Sequence, residues 1–226
     1  MVSRLSCCLL TLVAALGATG CVAYRLPVAL PARSTPYVAV LSGEMPEPIA
    51  PIARHAWIVA NPAERGVLHR YELLGSAFAT TTRDPFDYFG EGDVAVHGIL
   101  RREKAEVRKI MACLDEETPR YNKEHPTYFP MPGPNSNTYV DQMLRRCGIP
   151  FELPATAIGK DYRGVLGASV TAGGTGVQLE TWLGGVKIGL KEGVELHFLG
   201  LSIGVDFYPP ALIVPVNPGR LGFDDR

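Results

Sequence analysis

The chain is poor in the features that mark the more specialised protein classes. Cysteine is scarce, 5 in 226 residues, which excludes a small disulfide-built scaffold. None of these cysteines is flanked by histidine in a zinc-binding spacing. Histidine is equally sparse, and His69, His97, His125 and His197 form no HxH or HExxH pattern. They are expected to be surface or internally satisfied side chains, and neither a metal nor a cofactor is expected. Neither sign of charge prevails, since 22 Lys and Arg face 23 Asp and Glu for a net charge of −1. Without a basic patch, nucleic acid is not expected as a partner. Beyond the first residues no uninterrupted apolar run reaches the length of about 18 that a membrane-spanning helix needs.

What the chain does have at its start is a leader. Arg4 precedes "CLLTLVAALGA", an apolar run too short to span a bilayer, and Ala18-Thr19-Gly20 then leads to Cys21. A small residue followed by such a cysteine resembles a bacterial lipoprotein signal, although Ala18 stands where leucine is usual. The resemblance implies that residues 1–20 are removed and that Cys21 is acylated. The protein is then held by lipid at the inner or outer membrane of the cell envelope, facing the periplasm. An ordinary cleaved leader, with Cys21 incidental, is the alternative. An oxidising compartment lets Cys113 and Cys147 be either bridged or buried as thiols.

Composition shifts divide the rest. Residues 21–53 read as a proline-rich tether followed by a first strand in "YVAVLSG". Residues 54–163 read as an α+β core. "HAWIVANP" and "GVLHRYELLG" form a hairpin, with His55, Trp57 and Val59 on one strand face. "VAVHGIL" is a further strand. Two helices are expected, over 101–117, with Leu100, Val107, Ile110, Met111 and Leu114 on one stripe, and over about 136–146, stopped by Gly148 and Pro150. Packing those stripes together brings Cys113 and Cys147 close. "DPFDYFGEGD" lacks the spacing of a calcium loop and reads as a solvated loop. Residues 164–226 are glycine-rich, with about five short strands over 177–182, 185–190, 193–198, 200–207 and 211–216.

The segment "PGPNSNTYV" carries the chemistry. Asn and Ser are good N-caps, and a helix N-terminus also offers free N–H groups to a nucleophile or an oxyanion. "NSNTYV" is similar to the "NC-x-x-F-V" segment of circularly permuted papain-like proteins, which include lecithin–retinol acyltransferases and NlpC-type amidases. The resemblance implies a permuted papain-like core, an antiparallel sheet packed on two helices. It puts Ser136 at the nucleophile position and His55 of "HAWIV" at the base position. Glu72 or His69 would orient the histidine, but they face opposite ways on one strand, so only one can serve. The stretches "HAWIV", "RYE", "PGPNSNT", "AIGKDY" and the Gly-rich tail also resemble an uncharacterised bacterial family, a domain of unknown function, over nearly the whole mature chain.

Serine in place of cysteine changes the expectation. A hydroxyl is a far weaker acid than a thiol, and a helix dipole of about 1 kcal/mol does not close the gap. The reading favoured is therefore an envelope lipoprotein whose papain-like scaffold binds a ligand or partner without turnover. Asn135, Asn137, Lys160 and Asp161 are its binding candidates, although Lys160-Asp161 also reads as an exposed turn with a local ion pair. The alternative is a serine hydrolase or acyltransferase acting on an amide or ester of cell-wall (peptidoglycan) peptide or lipid through Ser136, His55 and Glu72.

Overall fold

Residues 37–41 and 56–60 are unbroken apolar runs, the pattern of strands covered on both faces. They lie in β1 (Tyr37–Glu44) and β2 (Arg54–Glu64) of a five-stranded antiparallel sheet, completed by β3 (Val67–Leu74), β4 (Ala77–Thr81) and β5 (Val94–Arg101) in the order β4-β3-β2-β1-β5. This computed structural model describes residues 29–65, 67–74, 77–81, 84–88 and 93–223. The expected leader, Cys21 and the first part of the expected tether lie outside them. Because β1 is paired along its length with both β2 and β5, it belongs to the core and not to the tether.

Side chains alternate across this sheet, so each run serves two cores. Val38, Val40, Ala56, Ile58 and Ala60 face one way, together with Tyr71, Leu73 and Leu100. Tyr37, Ala39, Leu41, Trp57 and Val59 face the other way and meet Leu68, Val96 and Tyr88. Two helices cover the first face. Helix α1 (Lys104–Glu124) contributes Val107, Met111 and Leu114, and helix α2 (Ser136–Arg146) contributes Tyr139, Val140, Met143 and Leu144. Each aliphatic side chain buried this way stabilises the fold by about 1.5–3 kcal/mol.

Helix α1 departs from the sequence expectation at both ends. Leu100 and Arg101 stay in β5, paired with Val38 and Tyr37, so the helix begins at Lys104. It then runs through Pro119 to Glu124. An interior proline costs about 3 kcal/mol, and Tyr121 offsets much of that. Its ring is buried edge-on to Tyr139, with centroids 5.3 Å apart, and its hydroxyl donates to the Asn135 carbonyl at 3.2 Å. Cys113 in α1 and Cys147, just past α2, are joined by a disulfide with Cα atoms 5.7 Å apart, which pins the two helices together. No helix among the described residues is long and apolar enough to cross a membrane.

The glycine-rich region forms a second antiparallel sheet of seven strands: β6 (Leu166–Val170), β7 (Gly176–Thr181), β8 (Gly184–Gly189), β9 (Gly193–Phe198), β10 (Leu201–Phe207), β11 (Pro210–Ile213) and β12 (Arg220–Gly222). They follow one another as a meander, so β6 and β12 are the edges. These edge strands were missing from the sequence expectation because each is short and weakly β-forming. The polarity of the sheet is inverted. Gln178, Glu180, Lys187, Glu195, His197 and Ser202 are buried against the rest of the protein, whereas Leu179, Ile188, Leu196 and Ile203 are exposed.

Candidate functional site

The N-terminus of α2 is built by its own motif. Asn135, not Ser136, is the N-cap: its side-chain oxygen accepts the amides of Asn137 and Thr138, and the Thr138 hydroxyl receives the Asn135 amide in return, completing a capping box. The Asn135 side chain also donates to the carbonyls of Pro130 and Ile158, at 2.8 and 2.9 Å. Gly159 lies against it at φ +85°, where a Cβ would run into the Asn135 side chain. Asn137 then reaches the strand. It accepts the Ala56 amide at 3.0 Å and donates to the Arg54 carbonyl at 2.9 Å, so its two bonds bracket His55. Ser136 is the first residue of the helix and is buried.

The fold therefore brings the backbones at Ser136 and His55 alongside each other, but their side chains are not hydrogen-bonded among the described residues. The His55 ring belongs to the Trp57 face, stacked at 6.2 Å from Tyr88 and tilted at 6.0 Å from Trp57. Helix α2 packs on the opposite face, made of Ala56 and Ile58, so the helix stripe and the His55 ring lie on opposite sides of the sheet. His55 Nε2 lies 3.2 Å from Glu72 Oε2. Of the two orienting candidates, Glu72 is thus the one on this face, and His69 tilts towards Tyr71 instead. Arg70 donates to the same Glu72 oxygen at 2.7 Å and lies 4.1 Å over the Trp57 ring. Burial works to raise the Glu72 carboxyl, but the His55 contact and the Arg70 charge together hold it below its ordinary value. Glu72 Oε1 is buried with no hydrogen-bond partner among the described residues. The Trp57 indole donates to the Pro85 carbonyl at 3.1 Å, and residues 84–88 roof this face.

Lys160 and Asp161 are not an exposed turn. Both are buried in the junction between the core and the second sheet, because the inward face of that sheet is polar and requires charged partners. Lys160 Nζ lies 2.6 Å from Asp161 Oδ2 and 3.8 Å from Glu195. Lys187 Nζ lies 2.5 Å from Glu195 and 3.2 Å from Glu152. Gln178 and Ser202 donate to the two Asp161 oxygens, each at 2.9 Å. His197 meets Glu180 through Nδ1, and its Nε2 lies 3.4 Å from Glu195. Among the buried groups, Asp161, Glu180 and Glu195 are thus matched by Lys160, Lys187 and a protonated His197, while the partly exposed Glu152 adds a carboxylate at the margin. Burial alone would push the His197 imidazole down, but Asp161 and its contacts with Glu180 and Glu195 raise it to about 9. Asp161, Glu180 and His197 also present donor atoms within 4.8 Å of one another. The Lys160 ammonium supplies the positive charge at that carboxylate, so the donor set is neutralised from within the chain.

Sequence reasoning missed one further pair. Arg54 Nε donates to Ser42 Oγ at 2.7 Å, and the same oxygen is hydrogen-bonded to His97 Nε2, also at 2.7 Å. Ser42 is fully buried, and these bonds tie β1, β2 and β5 together. The pairing forms beside a register shift at Val40/Leu41, and no spacing rule reports such a shift.

The fold and this junction define an α+β protein: a five-stranded sheet under two disulfide-linked helices, joined through a buried ionic layer to a second sheet. The chain belongs to the family described as "Protein of unknown function (DUF3750)", which matches residues 36–162. That match runs from the start of β1 to Tyr162 and stops before the seven-stranded sheet, so it is shorter than the whole-chain resemblance expected from the motifs. No curated protein and no solved structure matches the chain.

Proposed function

We propose that the protein is a cell-envelope lipoprotein, anchored through Cys21 and facing the periplasm, whose permuted papain-like core binds a ligand or partner without turnover. One observation carries the absence of turnover. His55 Nε2 is engaged by Glu72, and no hydrogen bond joins His55 to Ser136 among the described residues. A serine hydroxyl needs such a base within reach, because the helix N-terminus alone is too weak to activate it. Its neighbours Asn135, Asn137 and Thr138 are all engaged in holding four backbone segments together. The disulfide suits an oxidising compartment and so supports the envelope assignment.

A serine hydrolase or acyltransferase acting on cell-wall peptide or lipid is the second reading, and the His55–Glu72 contact favours it. A carboxylate that holds the proton on Nε2 leaves the lone pair on Nδ1, which is how an acid orients a catalytic histidine. A fluorophosphonate probe applied to the full chain in its native membrane separates the two. Binding without turnover predicts no adduct at Ser136. Labelling of the wild type that is lost in Ser136→Ala would overturn it in favour of the hydrolase. Mass spectrometry of the membrane-extracted protein tests the anchor: an acylated N-terminal Cys21 peptide is expected, and an unmodified chain starting elsewhere contradicts it.

A further inference from the structure

The outward face of the seven-stranded sheet carries no charge. Cross-strand partners fix which side chains share it. Leu179 lies opposite Val186, Val186 opposite Leu196, Leu196 opposite Ile203, and Val205 opposite Leu212. Following these registers from Leu166 to Leu221, every outward position is apolar or glycine except Thr181. Leu166, Leu196, Phe198, Ile203 and Phe207 are each more than half exposed, at 81%, 56%, 63%, 57% and 55%. Seven strands about 4.8 Å apart and about six residues long cover roughly 600 Å² in plan. Side chains standing on that plane bring the accessible area to the roughly 800 Å² per partner of a stable protein interface. A monomer rarely leaves so large an apolar patch in water.

We propose that this face is covered by the same face of a second copy of the chain, sheet against sheet, about a two-fold axis near Leu196. Three physical arguments select that occupant. An isologous contact sets each residue near its own copy, so charges near the axis would repel, and this face has none. A charged heterologous partner would find no complementary group to fix its orientation. A sheet of seven strands accumulates a large right-handed twist, which another sheet of the same twist can match at about −30° and a flat bilayer surface cannot. Among the described residues no strand pairs with the outer edges of β6 and β12. Immersed in hydrocarbon, their unpaired backbone groups would have no hydrogen-bond partner, whereas between two sheets they remain at water. With 6 residues in β7, β8 and β9, the strands are too short for the 9–11 that a membrane-spanning strand requires. The inference is independent of acylation at Cys21.

Leu196 is the middle of the face, outward on β9, the fourth of the seven strands, whereas Leu166 is outward on edge strand β6. Facing sheets stack about 10 Å apart, within reach of a short bismaleimide linker. The test introduces Leu196→Cys or Leu166→Cys into the full chain in its native envelope and treats each with that linker, the wild type serving as the background for its own cysteines. A species of twice the chain's mass, formed with Leu196→Cys and at least five-fold weaker with Leu166→Cys or the wild type, supports the proposal. Three results overturn it. One is ready labelling of the Leu196→Cys thiol by a membrane-impermeant maleimide, which leaves the face bare. Another is protection relieved only by detergent with no dimer, which makes lipid the occupant. The third is adducts of any other mass, which make it a different protein. Adding Leu196→Glu and Ile203→Glu to a chain that carries Val186→Cys as its reporter should abolish the dimer while leaving Cys113–Cys147 oxidised, the mark of an intact core.

Discussion

Asn137 accepts the amide of Ala56 at 3.0 Å across 81 positions of sequence, in the manner of a paired strand. Its amide nitrogen donates to the Arg54 carbonyl at 2.9 Å and to the Ile158 carbonyl at 3.0 Å. One side chain thereby joins β2, the start of α2 and the loop that leads to the second sheet. Asn137→Ala should leave the Ala56 amide and the Arg54 carbonyl without this partner, at about 1–3 kcal/mol each before relaxation, while the Ile158 carbonyl keeps its bond from Asn135. The expected loss is at least about 2 kcal/mol, read by urea denaturation. A loss below about 1 kcal/mol would mean that the clamp is not what positions α2.

Neighbouring Asn135 and Ser136 should separate cleanly in thermal denaturation. Asn135→Ala removes the cap and the bonds to Pro130 and Ile158, so it should cost about 2 kcal/mol or more. Ser136→Ala should stay within about 0.5 kcal/mol, since its hydroxyl makes no hydrogen bond among the described residues. An equal cost at both positions would return the capping role to Ser136.

Much of the architecture was legible because it rests on local rules. The bounds of α2 follow from Pro134 and Asn135 at one end and Gly148 and Pro150 at the other, and the face shared by His55, Trp57 and Val59 follows from alternation alone. Alternation does not say which face the helices take. That choice depends on Ala56, Ile58 and Ala60 being small or smooth enough for α2 to approach, while the larger Trp57 is met by Arg70 and Tyr88. The extent of α1 was misread because a local rule at Pro119 yielded to a tertiary contact at Tyr121. Lys160 and Asp161 read as an exposed turn because their partners Lys187, Glu195 and His197 come from strands that the sequence shows only as alternating. The same alternation, read with hydrophobic residues inward, assigns the second sheet the wrong buried face.

The disulfide should be a major source of stability. Closing a loop over a separation of 34 residues lowers the entropy of the unfolded chain by an amount equivalent to about 3–4 kcal/mol. Cys113→Ser combined with Cys147→Ser should lose about that much in urea. Incubation with reductant should destabilise the wild type to the same extent and leave the double variant unchanged. A reductant effect that persists in the double variant would place the sensitivity elsewhere.

The ionic junction should give the protein a stability plateau bounded on both sides by titration. His197 is raised in the folded state to about 9 from its ordinary value of 6.5, so the stability it contributes is complete below pH 6.5 and is lost as pH rises through 9. On the acid side, burial opposes ionisation of Glu195, but Lys160 and Lys187 hold its carboxyl down at about 2 against an ordinary value of 4.5. Its contribution is present above pH 4.5 and is lost as pH falls through 2, and Asp161, held well below its ordinary value despite its burial, acts in the same direction. The contributions of His197 and Glu195 should therefore both be complete between about pH 4.5 and 6.5, and that of His197 should decline towards pH 9. His197→Gln keeps a hydrogen-bonding side chain but removes the titrating charge, so it should be less stable than the wild type at about pH 6 and should lack the decline between pH 6.5 and 9. If the wild type and His197→Gln show parallel stability curves across that interval, His197 is not protonated in the junction, and the three-against-three charge balance fails with it.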